Sequence, residues 1–289
     1  MKEKCLNNGE LQKRFPEIFL LENEYWQVVL SSCGGQILKA VTSLSPEDVI
    51  FLGEKAAWSS ERSIRGGVPV CWPWFGASPV PGRPIQGFAR TARWEMSACE
   101  KDFLRMKLPV SAVPAEFVDF PFELVTEVKV TEHLEIALVM KNTADVPVRI
   151  SCALHTYFAV SDCEKVSVTG LEQTPYTVKG GAVQFGENTP LKIKGEVCRL
   201  YYPQRETVEI LDPRWGRKVI VSKENSSSTL VWNPGSERCR QITDLNDDEY
   251  RRFLCVECNR AGEDEMELAP GEEYRIIQKI KVEALPTPE

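Results

Sequence analysis

Residues 123–153 read ELVTEVKVTEHLEIALVMKNTADVPVRISCA. Apolar and polar side chains alternate with period two from Glu123 to Thr131, again from His133 to Lys141, and again from Val146 to Ala153. That is the pattern of half-buried strands rather than of helices. Asn142-Thr143-Ala144-Asp145, between the second and third runs, has the composition of a turn. The stretch therefore predicts successive strands joined by turns.

The same signature extends outward. Upstream, Trp26 to Leu30 predicts a strand that ends at Cys33-Gly34-Gly35, and Phe103 to Leu108 predicts another. Downstream come Glu206 to Leu211, Lys218 to Ser222, Thr229 to Trp232, Phe253 to Glu257 and Tyr274 to Val282, punctuated by Asp212-Pro213, Trp215-Gly216 and Pro270-Gly271. Val178 to Gly186, with two adjacent glycines, reads as a turn or hairpin. Helical signal is confined to Pro114–Phe117 and Asp247–Arg252. A fixed-period repeat is absent, which argues against a propeller or solenoid. The reading is all-β: one large antiparallel domain over residues 1–289, a sandwich of big sheets, with a two-domain all-β arrangement as the alternative.

Composition narrows the function. Of the 289 residues, 43% are apolar and 27% charged, an ordinary globular balance, and the net charge is −7. A net negative chain is a poor general binder of nucleic acid or membrane surfaces, so an anionic ligand needs a local cluster of basic side chains. The opening residues lack the apolar core of a signal peptide and no run is long enough to span a bilayer, so a cytoplasmic protein is expected. Ten cysteines are then expected to be mostly reduced thiols. Cys255-Val256-Glu257-Cys258 places its two thiols on opposite faces of a strand, where they cannot pinch one metal ion together. With two histidines in the chain, a multi-histidine metal site is excluded, and neither a phosphate-binding glycine loop nor a nucleophile elbow is present. The acidic runs Asp244–Glu249 and Glu263-Asp264-Glu265 read as solvated loops.

One segment breaks the strand pattern. Residues 65–90, RGGVPVCWPWFGASPVPGRPIQGFAR, carry prolines at 69, 73, 79, 81 and 84 that rule out a continuous central strand. Trp72, Trp74, Phe75 and Phe88 require a packed setting, so the segment is a long ordered loop, a kind that is usually functional. Arg65 precedes Gly66-Gly67, where backbone can approach a ligand closely, and Arg90 closes the segment. Guanidinium groups so placed suit a phosphate, and tryptophan faces suit sugar C–H faces.

The two histidines differ. His133 sits among glutamates on a solvated strand face, whereas His155 lies in Cys152–Phe158, a stretch free of other charge. Alternation puts Ala153, His155 and Tyr157 on one face. His155 is either a satisfied core histidine or a catalytic group. Glu257 ends the apolar run Phe253–Val256. It is either a strand-end carboxylate that reaches solvent or a desolvated one, whose raised pKa would suit a general base.

Taken together, Arg65-Gly66-Gly67-Val68-Pro69-Val70-Cys71-Trp72-Pro73-Trp74-Phe75-Gly76, Gly87-Phe88-Ala89-Arg90, Leu154-His155-Thr156-Tyr157-Phe158, Trp232-Asn233-Pro234 and Val256-Glu257 resemble the hexose-6-phosphate mutarotases of the aldose-1-epimerase superfamily. The resemblance covers nearly the whole chain. It implies a large β-sandwich of the galactose-mutarotase type, no cofactor and no metal. By matched position it implies His155 and Glu257 as the catalytic pair, with Arg65, Arg90, Gln86 and Asp212 as substrate-binding residues. It also implies a hexose 6-phosphate as the small-molecule partner, no nucleic-acid or membrane partner, and a monomer. Cys258-Asn259-Arg260 departs from the small residues that usually follow the family's glutamate. Asn259 is expected on the same face as Glu257, and Arg260 adds a charge near the site. Two other functions stay open: a non-catalytic sugar-phosphate sensor on the same fold, and an epimerase of unphosphorylated aldoses.

Overall fold

The computed structural model describes residues 8–204 and 207–286. Two large antiparallel sheets dominate. The nine-stranded sheet runs, edge to edge, Leu191–Lys192, Ser167–Thr169, Val208–Asp212, Arg217–Glu224, Glu273–Ala284, Leu134–Asn142, Phe122–Val130, Phe103–Lys107, Glu95–Cys99. The eight-stranded sheet runs Gln184–Phe185, Pro175–Thr177, Val197–Tyr201, Ser228–Asn233, Phe253–Arg260, Cys152–Leu154, Val70–Cys71, with Tyr157–Ala159 also paired to Phe253–Arg260. A three-stranded sheet, Ile18–Glu22, Trp26–Ser31 and Gln36–Thr42, and a two-stranded ladder of Val148–Ile150 with Met266–Leu268 complete it. The all-β reading is borne out. Among the described residues, no helix is long and apolar enough to cross a membrane.

The alternation seen in the sequence decides which face each strand buries. In Phe122–Val130, Leu124, Thr126, Val128 and Val130 are all buried while Glu123 and Lys129 are exposed. The neighbouring Leu134–Asn142 pairs with it in continuous register from Phe122↔Asn142 to Val130↔Leu134. Their apolar faces join one core that runs from Leu21 to Val282. Gln278 of the nine-stranded sheet ties the two large sheets directly. It accepts from Thr156 Oγ1 at 2.5 Å and donates to Val256 O at 3.2 Å.

Two local expectations differ from the structure. The run from Val146 to Ala153 is two strands rather than one, broken at Ser151. Ser151 donates its N–H to Pro73 O, and its Oγ accepts from Phe75 N–H. The chain crosses there from the Met266–Leu268 ladder to the eight-stranded sheet. The strand from Trp26 ends before Cys33-Gly34-Gly35, as expected, and the two glycines turn the chain. Both glycines have positive φ, and Gln36–Thr42 returns along Trp26–Ser31. The acidic runs are partly internal: Asp244, Glu249 and Asp264 are buried, and Glu249 accepts from the N–H groups of Glu54 and Asn246. The two short helical stretches appear as 3-10 turns, Ala115–Phe117 and Glu249–Arg252. Val178 to Gly186 connects Pro175–Thr177 to Gln184–Phe185, as a hairpin.

The proline-rich segment is ordered by its aromatics. Trp72 is buried against Phe88, Phe120 and Phe122, with ring centroids at 5.5, 5.8 and 4.6 Å. Its carbonyl accepts from Phe88 N–H at 3.0 Å. A methyl group on Gly87 would lie 2.0 Å from the same carbonyl, so only glycine permits this approach. The segment is thus pinned from both sides around one tryptophan. Trp72→Ala is expected to cost roughly 3–5 kcal/mol, because it deletes a large buried ring and leaves a cavity. In urea denaturation this appears as a lower midpoint with the m-value unchanged.

Candidate active site

The floor of the site is the strand Phe253–Arg260, which is paired on both sides and buried on both faces. Leu254, Val256 and Cys258 enter the main core, while Phe253, Cys255, Glu257 and Asn259 alternate onto the opposite face. Cross-strand register lines up Tyr157, Cys255, Trp232 and Cys198 in one row. Glu257 stands beside that row, opposite Leu230.

His155 occupies the break between Cys152–Leu154 and Tyr157–Ala159. Its backbone N–H, freed from the ladder, donates to Pro69 O at 3.0 Å, so the proline-rich segment fixes it. Its ring stacks on Tyr157, with centroids 4.9 Å apart and planes 14° apart, and meets Trp232 edge-on. The expected sharing of a face by His155 and Tyr157 is what is observed. His155 Nε2 lies 3.2 Å from Glu257 Oε1, with 10% and 0% of the two side chains exposed. The pair is close without an aligned hydrogen bond. Glu257 Oε1 and His155 Nδ1 are both buried and lack a hydrogen-bond partner among the described residues.

Asn259 shares the face of Glu257, as expected, and donates from Nδ2 to Glu257 Oε2 at 3.1 Å. Its Oδ1 accepts from Leu230 N–H at 3.0 Å, which sets the amide orientation. Arg260 corrects another expectation. One position further along the strand, it points to the other face and meets Asp264 and Tyr274, away from the pair.

Burial shapes the charge of the pair. Glu257 is pushed well above the usual carboxylate range by burial, which the Asn259 hydrogen bond and Arg90 only partly offset. His155 is pushed down to about 3, first by burial and then by the positive charges of Arg90 and Arg65. Both shifts favour the uncharged forms, a protonated Glu257 beside a neutral imidazole at His155.

Two arginines stand over this floor. Arg65 donates from Nη1 to Tyr157 Oη at 3.0 Å and from Nε to Asp244 Oδ1 at 3.1 Å. Arg90 donates from Nη2 to Ile85 O at 2.7 Å. Both line an open cleft of about 440 Å³, together with Arg62, Thr91, Thr243 and Asp244. Three cationic heads line this cleft beside the acidic groups Asp244 and Glu61, on a chain whose overall charge is negative.

The remaining two expected residues are elsewhere. Asp212 is a correction. It ends a strand of the nine-stranded sheet, and its carboxylate accepts from Ser161 N–H, Ser161 Oγ and Trp215 N–H. Ser161 and Trp215 border a different cavity, of about 640 Å³. Asp212 is a buried brace at a hairpin end, and the aspartate that meets Arg65 is Asp244. Gln86 Oε1 accepts from Gly76 N–H at 2.7 Å and its N–H donates to Gly76 O, so it ties the proline-rich segment to itself. Asp244 and Cys198 were not legible as site residues. Neither lies in a motif, and only cross-chain pairing brings them there.

A β-sandwich that seats a buried histidine–carboxylate pair beneath paired arginines has the parts of an acid–base isomerase of small anionic molecules. Residues 17–281 match the aldose 1-epimerase family, and the chain belongs to that family. It is an isomerase. A protein of Cenchrus ciliaris that carries the provisional name glucose-6-phosphate 1-epimerase is 31% identical over 283 residues, covering 88% of this chain and 80% of that one. A similarly named protein of Escherichia coli K12 is 28% identical, covering 94% and 92%. Among solved structures, a Salmonella typhimurium protein provisionally called a mutarotase superposes with a TM-score of 0.84 at 25% identity, covering 92% of this chain and 90% of that one. The family and fold expected from the sequence are thus borne out.

Proposed function

We propose that the chain interconverts the α and β anomers of hexose 6-phosphates, glucose 6-phosphate foremost, with His155 and Glu257 as the acid–base pair and Arg65 and Arg90 holding the phosphate. The observation that carries this reading is the 3.2 Å approach of His155 Nε2 to Glu257 Oε1 beside those two arginines. The names of the relatives from Cenchrus ciliaris and Escherichia coli agree with a phosphorylated substrate.

Ring opening needs one proton removed and one supplied. Glu257, as carboxylate, takes the proton from the C1 hydroxyl. His155, as imidazolium, gives a proton to the ring oxygen, and the C1–O5 bond breaks to leave the open aldehyde. Rotation about C1–C2 presents the other carbonyl face, and the ring recloses with the roles reversed. No net proton is gained or lost.

Substrate binding prepares this state. After burial, the positive charges of Arg90 and Arg65 hold the His155 pKa down. A phosphate seated on both arginines cancels their charge. With that charge cancelled, His155 is freer to carry the proton it donates to the ring oxygen. A free sugar brings no such charge, which gives the site a reason to favour phosphosugars.

The unit is read as the whole chain, 1–289, supported by the one core that spans both large sheets. It is read as a cytoplasmic monomer. Nine unpaired cysteines among the described residues, seven of them buried, support a reducing compartment.

The direct test is anomer exchange by NMR saturation transfer on glucose 6-phosphate, with free glucose as control. Acceleration confined to the phosphosugar is the expected result, and binding without acceleration of either would return the protein to the sensor reading. Glu257→Gln keeps the shape and removes the base, so turnover is expected to drop about 10²–10⁴-fold; near-normal turnover sinks the assignment. Arg65→Ala is expected to lower kcat/KM for glucose 6-phosphate roughly 10–100-fold, the loss of one or two charged hydrogen bonds, with far less effect on any glucose activity.

The pH dependence has a defined sign. The pair works with one proton, and a second protonation is blocked until about pH 3 in the free enzyme, where His155 titrates. Once the phosphate's own ionisation near ~6 is corrected for, the acid limb of kcat/KM is expected near that value. Bound phosphate raises the His155 pKa, so the acid limb of kcat is expected at higher pH than that of kcat/KM. Coincident limbs would remove the arginine–phosphate coupling from the mechanism.

A further inference from the structure

The row of side chains on the site floor includes a group that the anomer chemistry does not use. Cys255 lies between Phe253 and Glu257 on the same face of the same strand, fully buried. An imidazole nitrogen of His155, Cys255 Sγ and a carboxylate oxygen of Glu257 all lie within 4.8 Å of one another. Two of these atoms, the imidazole nitrogen and the carboxylate oxygen, are 3.2 Å apart. That is close to the ~3.3 Å that separates two ligands of one tetrahedral zinc ion with bonds of about 2.0–2.1 Å. Glu257 Oε1 is buried and has no hydrogen-bond partner among the described residues, so its lone pairs are free to ligate.

We propose that this triad captures a single borderline-soft divalent ion, Zn2+ above all, through His155 Nε2, Cys255 Sγ and Glu257 Oε1, and that the captured ion blocks the site. Nitrogen, sulfur and carboxylate oxygen are each donors that zinc takes, and three protein ligands with a fourth position open is the arrangement of an open zinc site. The thiolate selects Zn2+ over Mg2+ and Ca2+, which prefer all-oxygen shells. The ion replaces protons: the Cys255 thiol and the Glu257 carboxyl each release one to solvent, and the neutral imidazole releases none. Binding therefore tightens as pH rises. The ion sits on both members of the acid–base pair, so inhibition rests on the mutarotase reading, whereas capture itself does not.

A second thiol sharpens the test. Cys198 pairs across the sheet with Trp232, which in turn pairs with Cys255, and it is half-buried beside the same face. Cys258 points to the opposite face, with Sγ against Ile277 O.

The experiment is titration of the reduced full-length protein with ZnCl2 by calorimetry and with CoCl2 by absorption, alongside anomer exchange with and without EDTA. Expected are one Zn2+ per chain, a thiolate-to-cobalt charge-transfer band, and loss of anomer exchange that EDTA restores, with MgCl2 inert. Cys255→Ser is expected to weaken Zn2+ binding by more than the roughly 10–100-fold that loss of an outer-shell partner costs. Cys258→Ser and Cys198→Ser are expected to keep both the affinity and the cobalt band. Should Cys255→Ser fail to fold, the wild-type cobalt band and its survival in Cys198→Ser decide the matter. The proposal is overturned by absence of stoichiometric uptake, by unchanged affinity in Cys255→Ser, or by loss of the band in Cys198→Ser. Zn2+ capture through Cys255 that leaves anomer exchange intact would instead overturn the assignment of His155 and Glu257 as the acid–base pair.

Discussion

A carboxylate buried in the middle of a sheet is the constraint on which the rest of this molecule turns. Glu257 is nearly inaccessible, with a histidine on one oxygen and an asparagine on the other. An isolated ionised carboxylate in such surroundings is very costly, so the group holds a proton or takes a partner. Both options lie within 3.2 Å, at His155. The neighbouring strands exist in the positions they do, in part, to keep that proton shared: Leu230 orients Asn259 toward Glu257, and Pro69 holds the His155 backbone in a gap between two strands.

The proline-rich segment links this chemistry to the fold's stability. The same 26 residues that begin and end in the two arginines also bury Trp72 and Trp74 and supply the carbonyl that holds His155. Packing and charge placement are therefore not separable here. The tight seating of Gly87 on the Trp72 carbonyl fixes where Arg90 leaves the segment. Likewise Gly67, where an added methyl would lie 2.2 Å from Ile37 O, fixes where Arg65 enters it. On the far side, Asp244 anchors Arg65 from a run of acidic residues that composition alone assigns to solvent.

Much of this was readable in the residues themselves. Period-two alternation is a local property, and it located the long strands of the nine-stranded sheet to within a residue or two at most ends, Phe122–Val130 and Leu134–Asn142 among them. His155 and Glu257 stood out because each is a polar group in an apolar strand, and the structure brings the two together. What escaped depends on pairing between distant segments. Ser151 breaks a strand because two sheets compete for its neighbours. Asp212 reads as a ligand because of Leu-Asp-Pro, yet its partners Ser161 and Trp215 consume it. Asp244 becomes a site residue only through Arg65, 179 positions away. Arg260 was placed near the site by proximity in sequence, whereas the two-residue strand period sends it to the other side.

Because the strand Phe253–Arg260 is buried on both faces and paired along both edges, it has little freedom to change. A substitution that enlarges or recharges one of its inward residues disturbs the core or the acid–base pair. Substitutions are more easily accommodated at the periphery of the floor, at half-exposed positions such as Cys198 and Leu200 and in the loop bearing Arg62. The strand is thus the least adjustable part of the floor, and the half-exposed rim the most.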